Sequence, residues 1–470
     1  MKVCIKLQCN HHLLKVILFV TMLLNLSFLS FAVESGVNTS TKINLNRSSS
    51  TVFSTGERLD GWWKVPFGVN GSVFEGSAHF DGSLYSDDDP ALSSTEKTTV
   101  VPTGDIDRVR AAFVFPSLMP AIKTLNFELG RLKFNDKNGL IVSHPADGVK
   151  LGIDLTYLTF NFQTGYTTLI LRKSNGINLS LYDQDAKSDK SRIFGNSRLL
   201  VQTGAEFPDV YGQSINVSFI AQQDLAPNSR LIPEWSTEEY FGMESRGGLV
   251  NTQYTTLDLN GQIINNLFYS TFATYGSGKT LTWLKDNDSP TGYSYQYVPI
   301  SSVLAGLTFD YFMPSFLNSS FNFRFLYASG DNDYSRSIEG NTSGTASQFI
   351  PLTASPLGNV FSPKLSNLVV AQLGGSLKPV SSQALQTGVK CLAFFRPTYG
   401  PVNVSGLLPG SNASWLGFEA DLYGMYRIMS DLGLSLNTGI FLPGITPNGA
   451  FSTGTAAVQY SINLSIAVDL

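Results

Sequence analysis

Two histidines and the acidic residues near them are the first places where this chain could do chemistry. His79 follows Glu75 and precedes Asp81 in one alternating segment, and His144 stands in a long polar connection. A hydrolytic site needs a histidine base close to a serine or an acid. No such motif surrounds either histidine, so the sequence predicts polar residues with structural roles and no enzyme. It predicts no cofactor and no His/Cys metal site either, because these residues lie far apart in sequence.

Two further patterns could bind phosphate or cations. Residues 273–280 (ATYGSGKT) satisfy a loose phosphate-loop pattern, but residues 285–290 cannot form the helix that this chemistry requires. We expect a Gly/Ser turn at the end of a strand there. Three acidic tracts, 87–89, 286–288 and 331–333, offer oxygen ligands, but none completes the spaced loop of a calcium site. They are expected to keep loops solvated.

The composition narrows the class of protein. The chain has 470 residues, of which 14% are charged and 12% aromatic, with 42 glycines and a net charge of -4. Its mean hydropathy is +0.04. Disorder needs few aromatics and a high net charge, helical bundles are rich in Ala, Glu, Lys and Leu, and nucleic-acid binding needs a basic patch. A β-rich protein with dispersed apolar residues remains, either a large sandwich or a membrane barrel.

Residues 1–32 are typical of a secretory signal peptide. A basic start is followed by an apolar run, and Ser30-Phe31-Ala32 carries small residues where a signal peptidase cleaves. The alternative is a single membrane anchor, which the short run and its flanks disfavour. Cleavage would leave Cys391 as the one cysteine, so we expect no internal disulfide.

Strict alternation of apolar and polar residues predicts long β-strands. It is clearest in 149–159, 300–312, 319–330 and 414–427, whose lengths suit tilted membrane-spanning strands. Long polar connections alternate with short turns along the chain, which is typical of an outer-membrane barrel. We therefore predict an all-β antiparallel barrel of about 16 strands, with 14 to 18 possible.

The predicted barrel covers residues 73–470, and residues 33–72 are predicted to be a periplasmic lead-in. The chain ends in an alternating strand, 460–470, in which every even position is apolar or aromatic. Such a strand can pair with the first strand and close a barrel. It resembles the C-terminal assembly signal of outer-membrane proteins, although Leu470 stands where that signal commonly has an aromatic residue.

Nearly the whole processed chain thus resembles a bacterial outer-membrane β-barrel. Short stretches are similar to the alginate-export barrels, namely 127–131 (FELGR), 145–149 (PADGV), 323–333 (FRFLYASGDND) and 361–368. The resemblance implies a channel that passes an anionic polysaccharide through a lumen lined by Arg and Lys.

Eleven residues on the polar side of the predicted strands are candidates to line the pore. They are Glu128, Lys150, Asp154, Asp310, Arg324, Lys390, Arg396, Trp415, Glu419, Asp421 and Tyr423. Arg324 and Glu419 are the preferred markers, because a lipid-facing Arg at mid-membrane costs about 2–4 kcal/mol. Trp415 and Tyr423 could stack on sugars, or belong to an interfacial girdle.

The mixed signs of these charges disfavour a polyanion conduit, which should be lined by Arg and Lys. The sequence predicts an outer-membrane porin for small hydrophilic solutes or oligosaccharides. A polysaccharide exporter and a plugged structural or adhesive barrel remain alternatives. The expected partners are outer-membrane lipid, lipopolysaccharide and the barrel-assembly machinery, with no nucleic acid.

Overall fold

A computed structural model describes residues 33–47, 51–67, 70–87, 98–167, 177–178, 198–225, 249–288, 292–332, 344–380, 384–404, 406–408, 410–453 and 457–469. The predicted signal peptide lies outside these residues. The described residues form 18 strands, in the order that follows. They are β1 (Glu34–Arg47), β2 (Thr51–Phe67), β3 (Ser72–Asp87), β4 (Thr98–Met119), β5 (Ile122–Asn135), β6 (Ser143–Leu155), β7 (Thr159–Tyr166), β8 (Arg198–Val210), β9 (Gln213–Asp224), β10 (Asn251–Ile264), β11 (Leu267–Lys285), β12 (Tyr293–Met313), β13 (Ser319–Ala328), β14 (Leu368–Leu377), β15 (Leu385–Phe395), β16 (Trp415–Arg427), β17 (Leu432–Pro443) and β18 (Gln459–Asp469).

The strands form one closed antiparallel barrel. Each strand pairs with its neighbours in sequence, and β18 closes the barrel on β1, from Asn38 opposite Asp469 to Arg47 opposite Tyr460. The predicted count of about 16 strands was therefore too low by two. The missing pair is β1 and β2, which lie in the segment 33–72 that was predicted to be a lead-in. β1 has no aromatic residue, and in β2 outward aromatic residues such as Trp63 and Phe67 are concentrated near one end, so the segment as a whole lacks the regular alternation that identified the other strands.

Short turns and long connections alternate around the barrel, as the sequence predicted. We call the end with the short turns the turn end and the opposite end the loop end. From β3 onward, the eight connections at the loop end coincide with the eight long polar segments of the sequence. The even strand number places both ends of the barrel chain at the turn end. Among the described residues, no helix is long and apolar enough to cross a membrane.

The two faces of the barrel wall differ in chemistry. Large apolar side chains are exposed on the outer face, for example Phe321 and Leu373 at 51% and 63%. Even-numbered positions of β18 from 460 onward share this face, as Ile462 and Ile466 show. The inner face carries buried polar residues, such as Thr256 and Asp258 of β10. Alternation along each strand produces both faces from one sequence.

Residues 344–367, which we call the inner loop, fold into the barrel from the loop end. Phe349 and Leu352 pack in one apolar cluster with inner-face residues such as Phe134 of β5 and Phe394 of β15. The loop spans from one wall to the other, because the Leu352 N–H donates to the Ile141 carbonyl at 2.8 Å. A barrel of this size leaves an interior space unless loops occupy it. Here the inner loop occupies much of that space.

Candidate functional site

Charged side chains gather on the inner face of β2 to β6, which we call the charged wall. On β3 and β4, Glu75 Oε1 accepts hydrogen bonds from Arg110 Nε at 2.7 Å and Arg108 Nη1 at 2.8 Å. Glu128 of β5 continues the row by contacting Arg110, and it lies 3.5 Å from Lys150 Nζ of β6. Acids and bases therefore alternate from strand to strand, and each base of this row has an acidic neighbour.

The strand register explains why these residues meet. Glu128 stands directly opposite Lys150 in the β5–β6 pair, and Lys64 stands opposite Glu75 in the β2–β3 pair. Directly opposed residues on one face of an antiparallel pair bring their side chains into contact. Opposite charges at such positions are favourable, and a row of them forms wherever the alternation keeps charge on the inner face.

A second cluster on the charged wall surrounds His79. Its Nδ1 lies 2.6 Å from Asp107 Oδ2, and its Nε2 lies 3.2 Å from Asp81 Oδ2. Arg58 of β2 contacts Asp60 at 2.7 Å and reaches Asp107 at 3.6 Å. The side chain of His79 is only 9% exposed, while the three carboxylates are about one-third exposed. The cluster therefore faces the barrel interior, and its carboxylates are more accessible there than the imidazole of His79.

On the opposite side of the barrel, charged residues hold the inner loop in place. Glu419 of β16 accepts hydrogen bonds from the N–H groups of Val360, at 2.9 Å, and Phe361, at 2.7 Å. Lys390 Nζ lies 3.1 Å from Asp421 Oδ2 and donates to the Leu357 carbonyl at 3.0 Å. We call this group, formed by Lys390, Glu419 and Asp421, the loop anchor.

Three of the predicted pore residues thus take a different role. Lys390, Glu419 and Asp421 lie on the inner face, as their parity predicts, but the inner loop contacts all three and covers the two carboxylates. Glu419 is 0% and Asp421 1% exposed. Covered carboxylates cannot contact a passing solute, so Glu419 and Asp421 act on the loop rather than on the lumen.

Two other predicted residues do not lie on the inner wall of a strand. Arg396 follows β15, is 4% exposed, and donates to the carbonyls of Ala413, Tyr399 and Gly400 at the loop end. Trp415 shares the outer face with Phe395, and their ring centroids lie 4.8 Å apart. A β-bulge in the β15–β16 pair reverses the alternation at this position. The sequence cannot show such a bulge by parity alone.

The remaining candidates lie where parity predicts. Glu128 and Lys150 belong to the charged wall. Asp310 accepts a hydrogen bond from Asn322 at 2.6 Å, and Asp154 and Arg324 share the inner parity of β6 and β13. Among the described residues, no carboxylate lies within 4.0 Å of the Arg324 guanidinium. Tyr423 also has inner parity and lies across Gly388, where a side chain would overlap its ring.

Several residues of the site were missed in the sequence. Arg58 and Asp60 were overlooked because β2 was assigned to the lead-in, although they alternate with Leu59 and Gly61. Asp107 and Arg108 were missed because a second bulge, opposite Ser77 and Ala78, interrupts the alternation of β4. The sequence does indicate that the inner loop is buried, because its apolar residues are unusually dense for a long solvent-exposed connection.

Two sites that the sequence singled out have structural roles. His144 is buried and its Nε2 contacts the Thr167 carbonyl at 3.1 Å. Residues 273–280 lie within β11, so they form neither a phosphate loop nor the turn that we expected.

In the turn after β5, burial raises the pKa of the Asp136 carboxyl, and hydrogen bonds from four backbone N–H groups act in the opposite direction.

Arg131 occupies an unusual place on the outer parity of β5. It pairs with Asp147 at 2.8 Å and donates to the Ile106 carbonyl at 2.8 Å. β4 extends beyond its pairing with β5, which ends at Val109 opposite Arg131. Arg131 therefore hydrogen-bonds a backbone carbonyl where the two strands separate, and this accounts for a charge among apolar neighbours.

The overall architecture has counterparts among solved structures. OccK7 (OpdD) of Pseudomonas aeruginosa superposes with a TM-score of 0.52 and 10% identity, over 93% of this chain and 99% of that one. The outer membrane protein OpdK of the same organism gives 0.51 and 11%, over 93% and 99%. OccAB2 of Acinetobacter baumannii gives 0.51 and 12%, over 93% and 98%. The chain has the β-barrel fold of these outer-membrane porins. No protein-family model and no curated protein sequence matches it.

The porin fold confirms part of the sequence prediction and corrects another part. The prediction of an outer-membrane type of β-barrel is confirmed. The resemblance to alginate-export barrels receives no support from these neighbours. The short motifs that suggested it lie in ordinary strands and connections of the barrel, since 127–131 belongs to β5 and 145–149 to β6.

Proposed function

We propose that the protein is a channel of the bacterial outer membrane for the passive passage of small hydrophilic solutes. The observation that carries this proposal is the contrast between the two faces of a closed barrel. Its outer face exposes large apolar side chains, and its inner face presents the charged wall. Lipid outside and water inside satisfy these two faces at once.

The position of the inner loop in the barrel indicates where a solute would pass. It packs on apolar inner-face residues of β5 and of the walls from β8 to β17. Its hydrogen bonds to the wall include those with Tyr254 of β10, Lys390 of β15 and Glu419 of β16, and it also bonds the Ile141 carbonyl in the connection after β5. The space between the inner loop and the charged wall is therefore the path that we propose. Arg108 and Lys150, whose side chains are 46% and 36% exposed, would line it.

The alternating charges of the wall favour polar solutes over one sign of ion. Each acid of the row has a basic neighbour, so the field acts across the path rather than along it. Rings of a single sign are what produce strong ion selectivity. Small neutral or zwitterionic molecules and oligosaccharides therefore fit this path better than a polyanion does.

Single-channel recording in planar bilayers tests the proposal. We expect discrete conductance steps from protein that migrates in its folded, heat-modifiable form on detergent gels. Solute flux into protein-containing liposomes, measured by osmotic swelling, should decrease with solute size. A folded barrel that gave neither conductance nor swelling would contradict the channel function.

One observation favours a second function, a plugged structural or adhesive barrel. The inner loop buries Phe349 and Leu365 against the wall and so fills a large part of the lumen. A barrel closed in this way would remain heat-modifiable and would pass no current. The conductance experiment therefore separates the two functions. A polysaccharide exporter would in addition require a clear anion preference.

The partners proposed for the protein follow from the outer-membrane location that we propose for it. Lipid and lipopolysaccharide would surround the outer face. The barrel-assembly machinery would insert the chain, using a terminal strand that pairs with β1 through ten opposed residue pairs. Depletion of that machinery should reduce the amount of folded protein in the outer membrane.

A further inference from the structure

The cluster around His79 brings an imidazole and carboxylates together from three neighbouring strands. Asp60 of β2 stands directly opposite His79 of β3, and Asp107 comes from β4. One ligand atom from each of these three residues lies within 4.8 Å of the other two. Asp81 Oδ2 stands on the other side of the ring, 3.2 Å from Nε2. This donor set, one nitrogen and several oxygens, is of the kind that binds transition-metal ions.

A β-bulge supplies one of these ligands. Ser77 pairs with Arg108 and Ala78 pairs with Ile106, so Asp107 is the extra residue of β4. A bulge bends a strand locally and changes the direction of a side chain. Here it brings the Asp107 carboxylate to the Nδ1 of His79, while Arg108 remains on the inner face beside Glu75.

The charges of this cluster do not balance. Asp60, Asp81 and Asp107 carry three negative charges, and Arg58 supplies one positive charge, at 2.7, 3.8 and 3.6 Å from them. Two further neighbours belong to the count, since Asp105 stands opposite His79 and Arg131 lies 3.8 Å from Asp105 and also acts electrostatically on Asp107, so four acids then face two bases. The neighbouring row differs, because its two acids, Glu75 and Glu128, are matched by three bases.

We propose that Asp60, His79 and Asp107 bind a divalent transition-metal ion such as Zn²⁺. Zinc ligands lie about 2.0–2.2 Å from the ion, so tetrahedral ligand atoms are about 3.3 Å apart. The His79 Nδ1 and Asp107 Oδ2 atoms, now 2.6 Å apart, need to separate by less than about 1 Å. The ion replaces the proton that these two atoms share and neutralises the excess charge.

The ion can reach this site from the interior of the barrel. The carboxylates of Asp60 and Asp107 are 32% and 36% exposed, and both lie on the charged wall. His79 is more deeply placed, with 9% of its side chain exposed. The fourth position of a tetrahedral zinc site would be open to water, and Asp81 would accept a hydrogen bond from the Nε2 N–H of the bound imidazole. Arg58 is the competitor, because its guanidinium already contacts the same carboxylates.

Isothermal titration calorimetry with Zn²⁺ tests the site directly on untagged, folded protein in detergent. We expect saturable binding of one ion per chain. His79→Ala and Asp107→Asn should each weaken it by about 10-fold or more. Arg58→Ala should bind Zn²⁺ as tightly as the unchanged protein or more tightly, because it removes a competing cation. His144→Ala is the matched control, since that histidine is buried against the Thr167 carbonyl.

The outcomes separate this site from the channel function. Binding that is absent from the unchanged protein, or equal in His79→Ala, would overturn the metal site. So would loss of Zn²⁺ in a folded Arg58→Ala variant, because the charge argument predicts the opposite sign. Heat-modifiable migration must show that each variant is folded. Conductance is not part of this readout, so a failed channel and a failed metal site give different results.

Discussion

At the scale of single residues, Arg324 offers the most direct test of which side of a strand faces the lumen. We expect Arg324→Glu to shift ion selectivity toward cations, because it replaces a positive charge on the inner face of β13 with a negative one. Reversal potentials under a salt gradient measure this shift. Lys285→Glu makes the same charge change at the loop-end tip of β11, outside the pairing with β10, and should leave selectivity unchanged.

An unchanged reversal potential in Arg324→Glu would contradict its lumenal position. Parity alone predicted the inward orientation of Arg324, Glu128 and Lys150 from the sequence. It could not predict which inward residues a loop would cover, because that depends on contacts between distant segments, such as Glu419 with Phe361. It also failed at Trp415, where a bulge reverses the alternation.

At the scale of elements, the inner loop depends on the loop anchor. A methyl group at Gly358 would overlap the Glu419 carboxylate. Gly358→Ala should therefore displace the loop, at a cost of about 1–3 kcal/mol for overpacking. Lys364 lies in this loop beside buried Leu365, so we expect trypsin to cleave after Lys364 in the variant more rapidly than in the unchanged protein. Mass spectrometry of the fragments measures the rate.

Gly61→Ala is the matched control for this substitution, because a methyl group there meets nothing within 4 Å. Equal cleavage in the two glycine variants would show that the loop anchor does not hold the loop.

Removing the Glu419 carboxylate, which accepts hydrogen bonds from the inner loop, tests the loop anchor by a change in β16 rather than in the loop. Glu419→Ala leaves the N–H groups of Val360 and Phe361 without their partner, at about 1–3 kcal/mol for each buried donor. We expect noisier open-channel current, since a loosened loop moves within the path. Glu419→Gln keeps a carbonyl oxygen and should have a smaller effect. Quiet current in a folded Glu419→Ala barrel would contradict this role.

At the scale of the whole molecule, the charges of the interior predict weak ion selectivity. Acids and bases alternate along the charged wall, and the chain as a whole carries a net charge of only -4. We expect reversal potentials close to zero in a potassium chloride gradient. A strong anion preference would instead favour polysaccharide export, and would show that Arg108 and Lys150 outweigh their acidic partners.

The alternation of long loops and short turns predicted the closed barrel from the sequence, because the loop end and the turn end of the barrel impose different lengths on their connections along the whole chain. It gave too few strands because β1 and β2 contain many small polar residues. Their membership in the barrel is set by partners far away in sequence, as in the pairing of Ile43 with Leu464. Local alternation of polar and apolar residues carries no information about that long-range pairing.

Barrel closure itself can be tested in β1. Thr41 pairs with Ile466 on one side and with Glu57 on the other. Proline there lacks the N–H group that a central strand requires. We expect Thr41→Pro to lose most of its heat-modifiable form, because a broken β1 exposes the edges of both β18 and β2. Lys285→Pro, at a position that pairs with β12 alone, should keep that form. If residues 33–72 were only a lead-in, both variants would fold equally well, and gel migration distinguishes these outcomes.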